Sequence, residues 1–107
     1  MDEKIGASIY DAPWLYDLLF DSFDFDIPFW LETARAAGGP VLEAACGTGR
    51  VLLPLLKAGL DIDGFDSSPA MIGRLRERAA AVGLSVRAEV ADMREFAMGR
   101  RYSRILC

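Results

Sequence analysis

The sequence predicts an α/β fold, a parallel sheet layered with helices and preceded by an N-terminal helical segment. Two observations predict it. From Val41 onward, short apolar runs alternate with stretches of helical spacing, in the order strand, helix, strand, helix, strand, with a fourth strand beginning at the end. Glycine or proline marks the junctions, at Gly38-Gly39-Pro40, Gly59, Ser68-Pro69 and Gly83. Such alternation argues for βαβ units, whose right-handed crossovers set the strand ends along one edge of the sheet.

The first forty residues differ from the rest, because aromatics and aspartates interleave from Ile9 to Ile27. Pro13 opens a predicted helix through Phe20, with Leu15, Leu18 and Leu19 on its apolar side. Asp26 is the expected N-cap of a second helix, with Pro28 in its first turn and an end near Gly38-Gly39. Val41–Cys46 is the first expected strand and 50–58 the helix after it, with Pro54 close enough to the start to be tolerated. Leu60 to Asp66 follows as the second strand. Ser68 then caps a helix whose Ile72, Leu75, Ala79 and Val82 fall on one face. Leu84 to Ala91 and Tyr102 to Cys107 are the third and fourth strands. Residues 1–39 are thus expected to form a helical cap, and residues 40–107 the sheet-bearing portion of a single domain.

At 107 residues, with 52% hydrophobic residues, the chain has material for one core. It contains no histidine, which excludes imidazole acid–base chemistry and His-ligated zinc. Its two cysteines, Cys46 and Cys107, make no metal or disulfide framework, and a reduced, cytoplasmic setting is expected. No apolar run approaches the roughly 20 residues of a membrane span. A net charge of −4 argues against nucleic acid as a partner. Arg74, Arg76 and Arg78 cluster with Glu77 among them, the pattern of a solvated helix face.

The expected strand ends all carry polar or glycine-rich features. After Val41-Leu42-Glu43-Ala44 comes the small-residue turn Ala45-Cys46-Gly47-Thr48-Gly49, which lets a ligand lie against bare backbone at a helix start. The second strand ends in Asp66, whose carboxylate can accept from both hydroxyls of a ribose. Asp92 lies just beyond the third and suits an amino donor such as that of adenine. Together they describe an adenosine-shaped slot. A P-loop would need Lys-Ser or Lys-Thr where Arg50-Val51 stand, and Leu52 occupies the third glycine position of a dinucleotide fingerprint. A non-catalytic adenosine-nucleotide or NAD-binding module stays open as the alternative.

The segment Glu43-Ala44-Ala45-Cys46-Gly47-Thr48-Gly49 resembles the first motif of class I S-adenosylmethionine-dependent methyltransferases. Gly64 to Ile72 is similar to that family's second-strand segment, and Ala91 to Phe96 to its adenine-side segment. Asp26 to Leu31 resembles the helix that caps the cofactor in one branch. The resemblance implies a Rossmann-like three-layer αβα sandwich, truncated after about the fourth strand, since the family continues through three more. It also implies S-adenosylmethionine as cofactor. Ala45, Gly47 and Gly49 would admit the methionine part and ribose to the backbone, with Cys46 and Thr48 lining the turn and Glu43 near the methionine ammonium. Asp66 would hold the ribose, Ser67 and Met71 would flank the adenine, and Asp92 and the Met93 backbone would complete its edge. Tyr10 or Tyr16 would reach the methionine carboxylate. No catalytic base is nominated. The partners expected are a small-molecule acceptor, no nucleic acid, no membrane, and a second copy through the fourth-strand edge. Ala45 departs from the family's usual glycine.

Overall fold

A computed structural model describes residues 24–92 and 99–107, together with Ala12, Trp14 and Asp17. Its elements run α1 (Ile27–Ala36), β1 (Val41–Ala44), α2 (Leu52–Lys57), β2 (Ile62–Asp66), α3 (Pro69–Ala81), β3 (Ala88–Val90) and β4 (Arg104–Leu106). The strands form one sheet in the order β3-β2-β1-β4, and every neighbouring pair is parallel. Val41 stands opposite both Ile62 and Arg104, and Gly64 opposite Ala88. The expected helix from Pro13 to Phe20 lies outside the described residues, except for Trp14 and Asp17, which are helical.

Side-chain alternation along the strands divides the core in two. Val41, Ile62, Ala88 and Leu106 face one side, where they pack with Ala34 of α1, Leu52 and Leu55 of α2, and Ile72, Leu75 and Ala79 of α3. Leu42, Ala44 and Phe65 face the other side, with Ala91 and Tyr102 against them. Helices α1, α2 and α3 therefore cover the same face of the sheet. No helix among the described residues is long and apolar enough to cross a membrane.

Three of the strands begin later than the hydrophobic pattern suggests, β4 at Arg104 instead of Tyr102, and β2 and β3 for one shared reason. Leu84 donates its amide to the Ala79 carbonyl at 2.8 Å and Gly83 donates to Ala80 at 3.1 Å, closing α3 with Gly83 at φ +72°. Leu60 and Gly59 cap α2 in the same way, on Leu55 and Leu56. This is the Schellman arrangement, and it takes the amides that a longer strand would have used. At its start α3 follows the sequence closely: Ser68 Oγ accepts from the Met71 amide at 3.2 Å, with Pro69 at N1. Asp26 precedes α1 as expected, yet its side chain makes no capping bond because Arg50 and Trp30 hold it.

Candidate functional site

Strand order reverses between β1 and β4, since β2 lies on one side of β1 and β4 on the other. Open parallel sheets bind ligands at such a point, beyond the carboxyl ends of the strands. The turn after β1 emerges there. Ala45 has φ +55°, Gly47 +58° and Gly49 +94°, so three of five consecutive residues are left-handed. An alanine in this region is strained, and the chain accepts the strain where the fold wants a glycine. The two glycines serve different ends. The Gly47 amide donates to Asp66 Oδ2 at 2.9 Å, tying the turn to the end of β2. A Cβ on Gly49 would lie 2.5 Å from Leu75 Cδ1 and 2.8 Å from Leu53 Cγ, so this glycine lets α2 and α3 close over the turn. Gly64 in β2 is similar: a Cβ there would meet Leu52 Cδ1 at 2.6 Å and Cys46 Sγ at 2.9 Å.

Beside the turn is a cavity of about 190 Å³ lined by Trp30, Glu43, Ala45, Cys46, Arg50, Val51, Leu106 and Cys107. Glu43 points to the helix-covered face of β1, and its Oε1 is buried without a hydrogen-bond partner. Burial pushes the Glu43 carboxyl up to about 8; the Arg50 charge and the Leu52 amide oppose this only in part, while Asp66 and Asp26 add to it. An unpartnered carboxyl oxygen beside a cavity is a place for a ligand's donor, because a buried polar atom left without a partner is costly. The cavity roof is fixed by an ion pair: Arg50 binds Asp26 through two bonds of 2.7 and 2.9 Å, and Trp30 Nε1 donates to Asp26 Oδ2 at 3.0 Å. The Arg50 guanidinium holds the Asp26 carboxyl well below the usual carboxylate range. Cys46 is no nucleophile, since burial, helped by the Glu43 and Asp66 charges, raises its thiol far above its ordinary value.

Farther along the edge, Asp66 accepts from the amides of Gly47 and Ser68, both at 2.9 Å. An ionised carboxylate offers about four lone-pair sites, so acceptor capacity is left for a ligand. Ser67 is exposed, Met71 is buried, and Asp92 is half-buried beyond β3. Glu43, Ala45, Gly47, Asp66, Ser67 and Asp92 thus line the carboxyl edge of one sheet. Met93, Tyr10 and Tyr16 lie outside the described residues.

The structure also shows what the sequence did not suggest. Thr48 is fully buried and its hydroxyl donates to Asp17, 31 residues earlier in the chain. Arg74 Nε and Arg78 Nη1 reach the same carboxylate at 2.9 and 3.0 Å, while Arg76 donates to the Ala88 carbonyl at 2.7 Å. The expectation of a solvated arginine face is therefore corrected. Arg74 and Arg78 stand four residues apart on one face of α3, and that face meets Asp17. Asp26 and Trp30 come from the segment expected to cap the cofactor, and Arg50 joins them although sequence reasoning does not place it in the site. The available signal is an arginine directly after the glycine turn, where a buried carboxylate precedes it on β1.

Residues 41–107 match the methyltransferase-domain family. The chain belongs to that family. Among solved structures, this methyltransferase domain is similar to the CcbJ methyltransferase from Streptomyces caelestis, with 36% identity, a TM-score of 0.65, and coverage of 77% of this chain and 34% of that one. It is also similar to the glycopeptide N-methyltransferase MtfA complexed with sinefungin, at 28% identity and a TM-score of 0.62, covering 74% and 34%. Among curated relatives, the 23S rRNA (uracil(1939)-C(5))-methyltransferase RlmD of Shewanella sp. (strain ANA-3) is 43% identical over 56 residues, 52% of this chain and 12% of that protein. An RNA methyltransferase of Parasynechococcus marenigrum, itself uncharacterised, is 40% identical over 60 residues, 56% of this chain and 13% of that protein. The methyltransferase domain thus spans about an eighth of these two relatives.

Those two relatives overturn the expected exclusion of nucleic acid from the partners. The physical reason is one of scope. A net charge of −4 describes this chain of 107 residues, and the matched segment is a small fraction of each RNA methyltransferase. The charge of so small a fraction does not decide the acceptor.

Proposed function

We propose that this chain supplies the S-adenosylmethionine-binding portion of a methyltransferase. The observation that carries the reading is the buried, unpartnered Oε1 of Glu43, set beside the glycine turn at the switch point of the sheet. Ligand pockets for whole drug-sized molecules run roughly 300–1,000 Å³. A cavity of about 190 Å³ instead suits an amino-acid head group, with a nucleoside lying along the open edge outside it. In this reading Glu43 receives the methionine ammonium, and the turn from Ala45 to Gly49 carries the ligand across its backbone. Asp66 receives the ribose hydroxyls beside Ser67, and Asp92 receives the adenine amine. Residues 1–39 act as the cap on this site, and Trp30 and Arg50 wall its methionine end.

When bound, S-adenosylmethionine supplies an electrophilic methyl group on a sulfonium, for in-line attack by the acceptor. The chain's own share is alignment and exclusion of water, which can supply much of the rate when geometry is held. Glu43 and Asp66 also suit a ligand of positive charge. A cytoplasmic setting belongs to the same proposal and is supported by the free Cys46 and Cys107. Nucleic acid belongs among the acceptors to be assayed.

Calorimetry with S-adenosylmethionine, S-adenosylhomocysteine and NAD tests the reading. Binding of the first two is expected, with Glu43→Gln weakening both by about ten-fold or more. Binding of NAD alone would instead identify a dinucleotide module.

A further inference from the structure

Two carboxylates grip adjacent residues of the turn from opposite directions. Asp66 takes the Gly47 amide, and Asp17 takes the Thr48 hydroxyl. Asp17 is 7% exposed and Thr48 0% exposed, so the second grip is made inside the protein. Three donors converge on Asp17: Thr48 and Arg78 on Oδ1, and Arg74 on Oδ2. Arg78 Nη1 closes the ring, donating also to Thr48 Oγ1 at 3.1 Å and to the Thr48 carbonyl at 3.4 Å. One side chain from the first twenty residues thereby joins the cofactor turn to α3, across 31, 57 and 61 residues of sequence. Bonds to an ionised group are the strong ones, and a buried carboxylate makes them unforgiving of displacement.

We propose that Asp17 is a positioning residue whose seat between Thr48 and α3 sets the shape of the cofactor turn. Thr48 stands between two left-handed glycines, and its hydroxyl donates to Asp17 and accepts from Arg78. When Asp17 is seated, Thr48 is held beside Gly47, whose amide is tied to Asp66. When it is displaced, the turn loses its inner support. Coupling of this kind is reciprocal, so a ligand that selects the ordered turn also favours the seated Asp17. The clasp stands on geometry alone, and its consequence for affinity rests on the cofactor reading above.

The test compares the wild-type chain with Asp17→Asn, Thr48→Val, the double variant and Thr48→Ser. S-adenosylhomocysteine affinity is measured by calorimetry. Chymotrypsin cleavage among Tyr10, Trp14, Tyr16, Phe20 and Phe23 is timed with and without that ligand. Each of Asp17→Asn and Thr48→Val should weaken binding about tenfold, and the double variant no further, because both break one clasp. Thr48→Ser, which keeps the hydroxyl, should restore affinity. The ligand should slow cleavage of the wild-type chain and not of Asp17→Asn. Additive losses, or folded Asp17→Asn protein with wild-type affinity, would overturn the coupling. If the wild type binds no S-adenosylhomocysteine, the cofactor reading fails by itself. The clasp is then judged without ligand: Thr48→Val should speed cleavage as much as Asp17→Asn, and an unchanged rate would reject it. Should Asp17→Asn not fold, Thr48→Val, which removes one hydroxyl, decides alone.

Discussion

Ala45 is the one described non-glycine residue with positive φ, and it sits where the resemblance leads one to expect glycine. The left-handed region costs an alanine about 1–2 kcal/mol, while glycine enters it freely at some cost in unfolded-state entropy. Ala45→Gly should therefore stabilise the fold by about 1 kcal/mol and raise Tm by a few degrees, measured by thermal denaturation. No change would mean that the neighbouring backbone relaxes around the alanine. At this scale the sequence was legible where a residue's role follows from local chemistry. Ser68, Pro69 and Gly83 cap as their types dictate, and Glu43, Gly47 and Asp66 meet at the turn. Asp17, Arg74 and Arg78 were not legible. Their partners lie 31 to 61 residues away, and a charge on a helix face has the same local pattern whether it meets water or a distant carboxylate.

At the scale of elements, strand and helix identities followed from alternation, but strand starts did not. The amides of Leu60 and Leu84 close helices, and an apolar pattern cannot show where an amide is used. Glycines illustrate the same limit. Gly49 and Gly59 look equivalent in sequence and share φ near +90°, at +94° and +90°. A Cβ on Gly59 meets nothing within 4 Å, whereas one on Gly49 runs into Leu53 and Leu75. Gly59→Ala should thus cost only the left-handed backbone, about 1–2 kcal/mol. Gly49→Ala should add overpacking of about 1–3 kcal/mol, giving the larger loss in a urea titration. Equal losses would show that Leu53 and Leu75 move aside freely. Beyond the site, β4 is anchored across β1 by Asp63, buried in β2, which accepts from Tyr102 Oη at 2.7 Å and Arg100 at 3.2 Å. Asp63→Ala leaves both donors without this partner and should cost about 2–4 kcal/mol in the same titration.

For the whole molecule, carboxylates of opposite tendency set the pH response. Asp26, held low by Arg50, and Asp61, held low by Arg100, contribute stability present above ordinary carboxylate values and lost as pH falls below them. Both are screened by solvent, so their share is modest. Glu43 acts in the opposite sense and from a buried position. Its proton is retained to about 8 in the folded chain but leaves near 4.5 in the unfolded one. Between those values the folded state binds more protons, so stability falls as pH rises and levels off above about 8. Ligand-free protein should therefore be most stable in mildly acidic solution, and Glu43→Gln should flatten the decline between about 4.5 and about 8. A cationic ligand reverses the preference, because an ammonium beside Glu43 favours its ionised form. S-adenosylhomocysteine affinity should then rise with pH up to about 8 in the wild type, and the Glu43→Gln variant should lack that rise. Thermal melts at a series of pH values, with and without ligand, measure both trends on one sample. A ligand-free Tm that climbs across this range, or an affinity indifferent to pH, would remove Glu43 as the ammonium partner. The opposed slopes are distinctive, since a group that only stabilised the fold would move stability and affinity together.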